Sequence, residues 1–159
     1  MLKLLRNLAK FCAIVAGVLL TAITLMTCLS VIGRNTTGTT LVGDFELTGV
    51  SAGAAIALFL PWCQLRGGNI IVDFFTAKSS ATTHEVLDRF GALLLTGMMV
   101  LLAWRTTLGG LNAWNTQSGT MMLGFPEWIV YACMVPPMVL TAVIGLWQTC
   151  CGFEKHTHP

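Results

Sequence analysis

Charge is placed along this chain in a way that leaves few folds open. No Lys, Arg, Asp or Glu occurs in residues 11–33, 47–65, 90–104, 106–126 or 128–153. A helix needs about 20 consecutive apolar residues to cross the hydrocarbon core of a bilayer. The first, second and last intervals meet that need directly, and the third meets it by continuing past Arg105. Composition agrees: 55% of the residues are hydrophobic and 10% are charged, against about 25% charged in soluble domains. Charges this sparse cannot cover a water-facing surface. The expected fold is all-α and integral to the membrane, a single domain over residues 1–159. It has four transmembrane helices at about 11–32, 45–65, 87–114 and 127–150, and a polar tail at 152–159.

Lys3, Arg6 and Lys10 precede the apolar run Phe11–Ile32. That run is longer than the apolar region of a signal peptide and no A-x-A-like site ends it, so it reads as a retained first helix. Lys3, Arg6, Lys10, Arg66, Lys78, Arg89 and Lys155 fall on one side of a four-helix arrangement, and only Arg34 and Arg105 on the other. Cytoplasmic loops carry the excess of basic residues, which places both termini in the cytoplasm.

The second helix is expected to start near Asp44–Glu46. Two readings of Glu46 stand. An acidic residue there meets the positive end of the helix dipole, and a carboxylate at membrane depth also calls for an ion-pair partner. Gly49, Gly53 and Ala57 follow at a spacing of four, a small-residue stripe that lets another helix approach closely. Gly67-Gly68 breaks the helix. Ile70, Ile71, Phe74 and Phe75 then share one helical face, so 69–77 is expected to lie in the interface as a short amphipathic segment, with Asp73 towards water. Thr82 to Glu85 reads as a capping box with Thr82 as N-cap. Arg105 falls in the outer third of the third span. It either snorkels to the surface or pairs with Glu46, Glu127 or a lipid phosphate. Pro126 suits the first turn of the fourth helix, Trp128 suits the interface, and Pro136-Pro137 should kink that helix against protein.

Chemistry is sparse. The three His lie at position 84 and in the tail, so no span offers haem ligands. No acidic residue sits mid-span to relay protons. No G-x-S-x-G, H-E-x-x-H or phosphate loop occurs. The six Cys lack metal-ligand spacing and read as small apolar fillers. The pattern is that of a scaffold or accessory subunit. No enzymatic activity, bound cofactor, metal site or nucleic-acid partner is expected.

Three stretches carry a resemblance. They are Val31-Ile32-Gly33-Arg34 with Gly38 and Glu46, then Arg66-Gly67-Gly68-Asn69-Ile70-Ile71-Val72-Asp73, and Leu123-Gly124-Phe125-Pro126-Glu127-Trp128. In this order, with four spans, the chain resembles the small, DctQ-like membrane subunit of the tripartite ATP-independent periplasmic (TRAP) transporters. The second stretch looks like the family's glycine–histidine–valine–aspartate signature, with Asn69 where histidine is usual. Asn keeps a hydrogen-bonding side chain but cannot become cationic near neutral pH.

The resemblance implies a scaffold that packs against a large multi-span membrane subunit, fed with an organic acid by a periplasmic substrate-binding protein. Import is then secondary and sodium-coupled, with the sodium ions on the large subunit. Arg34, Glu46, Gly49, Gly53, Asn69, Asp73, Arg105, Gly124, Pro126 and Trp128 become candidate structural, subunit-contact or phospholipid-contact residues. The competing reading is an autonomous four-helix protein, a small exporter or a membrane anchor. A small exporter needs a carboxylate deep in its first span, which Phe11–Ile32 lacks.

Overall fold

The computed structural model describes residues 2–38, 42–66 and 81–151. Among the described residues there are four helices: α1 (Leu2–Thr37), α2 (Asp44–Leu65), α3 (Ala81–Thr116) and α4 (Trp128–Cys151). All four are long and apolar enough to cross a membrane. Among the described residues there is no strand, only an isolated bridge between Gly119 and Pro126. The all-α membrane fold expected from the charge pattern is the fold observed.

The helices fall into two length classes. α2 has 22 residues and α4 has 24, which at 1.5 Å per residue is about 33–36 Å, close to the thickness of the hydrocarbon core. α1 and α3 have 36 residues each, about 54 Å, so both project beyond that core. α1 is continuous through Lys3, Arg6 and Lys10. α3 is helical from Ala81 onwards, so Thr82 lies inside it and is not its N-cap; an N-cap residue holds non-helical backbone angles. Segment 69–77, with Asn69 and Asp73, lies outside the described residues.

Packing follows the order α1, α2, α4, α3. α3 lies along α4, α1 lies along α2, and α2 and α4 join the two pairs. α1 touches α4 lightly, and α3 makes at most marginal contact with α1 or α2. The chain is therefore an open row. α4 sits between α2 and α3 although it follows both in sequence.

Side-chain size sets the seams. On α1 the buried positions are Ala9, Ala16, Ile23 and Ser30, a strict seven-residue repeat. On α3 they are Ala92, Thr96, Ala103 and Ala113, which lie on one heptad stripe. Such a repeat keeps one face of a helix against its neighbour over many turns. The α3–α4 seam is the close one. A Cβ on Gly110 would stand 2.9 Å from Tyr131 Cβ, and one on Gly145 would collide with Thr96 Oγ1. Thr106 Oγ1 lies 3.8 Å from Met138 Sδ, and the rings of Trp114 and Trp128 meet edge-on at 4.7 Å. These contacts fix the antiparallel register of α3 on α4.

Few large side chains are fully buried: Ile144, Gln64, Thr141 and Pro61. The Leu, Ile, Val and Phe side chains mostly face outward. In water that surface would drive aggregation. In lipid it is solvated, and helix association rests on close packing and interhelical hydrogen bonds. α4 runs unbroken through Pro136 and Pro137. Pro137 is buried, and Thr141 Oγ1 donates to its carbonyl at 2.7 Å.

Candidate functional site

Polar side chains collect at the two ends of α2. The first cluster lies where α2 begins. Gly43 precedes the helix with φ +79°, a left-handed conformation that costs a side-chain-bearing residue about 1–2 kcal/mol. Its carbonyl accepts from Leu47 N at 3.0 Å. Asp44 follows, and the buried Ser30 hydroxyl of α1 donates to its Oδ2. This contact ties the last turns of α1 to the first turn of α2.

The loop between α3 and α4 closes over the same place. Thr120 N donates to Phe125 O at 3.0 Å, Gly124 N to Thr120 O at 2.9 Å, and Glu127 N to Ser118 O at 3.1 Å. Gly124 has φ +62°, which lets the loop turn back tightly. The turn directs backbone N–H groups at Glu46. Met122 N donates to both carboxylate oxygens, at 3.0 and 3.2 Å, and Leu123 N donates to Oε2 at 3.3 Å. Convergent backbone amides of this kind form an anion-binding nest, here filled by the chain's own carboxylate. The Leu123 side chain seats on Gly43, where a Cβ would meet it at 2.5 Å. A side chain at position 43 would thus displace Leu123 as well as strain the backbone.

At the other end of α2, the amides of Gln64 and Gln148 meet. Gln64 Nε2 donates to Gln148 Oε1 at 2.6 Å, and Gln148 Nε2 donates to the Gln64 carbonyl at 2.9 Å. Both residues are buried, at 1% and 5% exposure. α2 and α4 run in the same direction, so this pair fixes their relative register. Arg66 caps the helix end and stacks over Trp62 at 4.9 Å, a cation–π contact worth about 0.5–1 kcal/mol at an exposed site.

The sequence-derived candidates divide on this geometry. Glu46, Gly124, Pro126 and Trp128 belong to the loop-end cluster or its edge. Pro126 does not open α4. It precedes the helix, pairs with Gly119, and its carbonyl accepts from Ile129 N at 3.3 Å. Arg34 is exposed in the last turn of α1, a place the helix dipole favours for a cation. Gly53 faces Met134 Cε at an ordinary 3.9 Å, and Gly49 has open space beside it. At Gly53 the stripe meets a flexible side chain, and Ala57 packs in the buried cluster with Ala103 and Met138. Arg105 is exposed on α3 and, among the described residues, pairs with no carboxylate. Glu46 is held by the loop instead. Because Thr106 meets Met138, Arg105 lies level with the middle of α4. Asn69 and Asp73 lie outside the described residues.

Sequence reasoning missed Gln64 and Gln148, and it missed the Ser30–Asp44 contact. Their only signal was a polar residue in an uncharged run. Among the described residues no group of three His, Cys, Asp or Glu could hold a metal ion.

The described residues thus form four apolar spans whose polar side chains tie the helices and the α3–α4 loop to one another. Residues 23–155 match the family described as tripartite ATP-independent periplasmic transporters, DctQ component. The chain belongs to that family: it is the small component of a TRAP transporter and a multi-pass inner-membrane protein. The family is a transporter component and not an enzyme. It works in a three-part assembly, which implies a large membrane partner and a periplasmic binding protein. No curated protein and no solved structure matches the chain.

Proposed function

We propose that this chain is a fixed scaffold packed against the large membrane subunit of a secondary importer. The importer takes up an organic acid delivered by the periplasmic substrate-binding protein, with sodium as coupling ion. The family match over residues 23–155 carries this reading. Two further features support it. The α2–α4 centre is tied at both ends, which suits a part that holds still. The open row leaves long apolar faces uncovered for lateral packing. Sodium and substrate sites belong to the large subunit in this account, and phospholipid meets the helix ends. The seven-against-two distribution of basic residues supports cytoplasmic termini, which places the Glu46 cluster at the periplasmic rim.

The test is isolation in mild detergent with a tagged large subunit expressed alongside. The two chains should co-purify. A chain that runs alone or as a homodimer under those conditions contradicts the scaffold reading and returns the autonomous four-helix alternative.

A further inference from the structure

Arg105 lies beside the middle of α4 on the outer edge of the row, and among the described residues no carboxylate pairs with it. The register of α3 on α4 is set by Thr106 against Met138, Gly110 against Tyr131 and Thr96 against Gly145. Arg105 is therefore level with Met138. From Met138 to either end of the α4 span is about 15 Å of helix, and the hydrocarbon core is about 30 Å thick. The charge thus starts near the centre of the bilayer, and an extended Arg stem covers only part of the way to a headgroup.

The direction of the side chain matters as much as its depth. The face of α3 that meets α4 carries Thr96, Ala103, Thr106 and Gly110. Arg105 points away from that face, between exposed Leu101 and Leu108. α3 is the terminal helix of the row, so among the described residues no other helix covers this side. Among the described residues no carboxylate reaches it.

A second copy of this chain cannot supply the missing partner. Residues 47–65, 90–104 and 128–153 hold no Asp or Glu, and neither does 11–33, so no span of a copy presents a carboxylate at mid-depth. Ionisable side chains at that depth persist in membrane proteins when they are paired. We infer that the Arg105 face of α3 is the docking surface for a transmembrane segment of a different chain. That segment presents a carboxylate at the bilayer midplane. This rests on the scaffold reading and makes that chain the large subunit.

The experiment compares retention of the tagged large subunit by wild type, Arg105→Lys, Arg105→Leu and Arg105→Glu in mild detergent. Removing one member of a buried ion pair leaves the other uncompensated, so Arg105→Leu should lower retention at least about tenfold, and Arg105→Glu further. Arg105→Lys should retain most of it. The isolated chain should keep its thermal midpoint in Arg105→Leu, because among the described residues no carboxylate pairs with the charge. Undiminished retention in Arg105→Leu, with loss only of co-purifying phospholipid, would assign the charge to a headgroup and overturn the inference. A drop in the midpoint of the isolated Arg105→Leu chain would assign it to internal packing and overturn it too. Failure of wild type to retain the large subunit overturns the scaffold reading itself, and this inference with it.

Discussion

The two ends of α2 are secured by different chemistry. At the Asp44 end a half-buried carboxylate is held by backbone amides of a loop. At the Gln64 end two buried neutral amides join helix to helix. An ionised side chain at the centre of a span costs about 2.5–3.5 kcal/mol on insertion scales, whereas an interhelical hydrogen bond gains about 0.6 kcal/mol on average. A charge without a counter-charge is affordable only near water, and Glu46 sits in the first turn of α2, at a helix end. The buried end uses groups that need no counter-charge. The loop end can adjust as the loop relaxes. The glutamine end cannot, because a slip of one turn would part both hydrogen bonds.

The largest expected effect is at the buried end. Gln148→Leu leaves the Gln64 amide facing an apolar side chain and should lower stability in detergent by about 1–2 kcal/mol. The double change Gln64→Leu/Gln148→Leu should cost less than the two single losses added together, since neither side-chain amide then faces an apolar neighbour and only the Gln64 backbone carbonyl loses its donor. Additive losses, read from thermal midpoints, would mean that the pair is not coupled. Glu46→Gln should have a smaller effect on global stability. It should show as faster amide exchange at Met122 and Leu123, and added salt should weaken the wild-type loop contact while leaving the glutamine end unchanged. Equal salt sensitivity at both ends would remove the distinction between them. Smallest of all is Gly53→Ala, because the new Cβ has ordinary room beside Met134; its effect should lie within about 0.5 kcal/mol. A large loss there would restore Gly53 as a close-packing residue.

The spans were legible because charge is nearly absent from them, and so was Glu46, an acidic residue at a helix start. The Leu123–Trp128 motif was legible as a pattern, but not as part of the loop that grips Glu46, 77 positions before Leu123 in sequence. The seams were not legible. Ala9, Ala16, Ile23 and Ser30 repeat by size inside a run that is apolar all round, so hydropathy offers no contrast between faces. The spacing rule for small residues pointed to Gly49 and Gly53, while the contacts that need glycine are at Gly110 and Gly145. Spacing identifies a flat stripe but not what faces it. The register of Arg105 was not legible either: α3 is longer than a span, and only its contacts with α4 locate the residue along the row.

The central claim is that the four helices form an open row that assembly with the large subunit does not rearrange. Spin labels at Leu20, Ile56, Val100 and Val139, one exposed position on each helix, test it by pairwise distance measurement in a membrane-mimetic environment; Val100 lies well round α3 from the Arg105 face. The α1–α3 pair, Leu20 with Val100, should give the longest distance of the set, and no distribution should shift when the large subunit is bound. A Leu20–Val100 distance as short as those between packed neighbours, or a shift on assembly, would contradict the account.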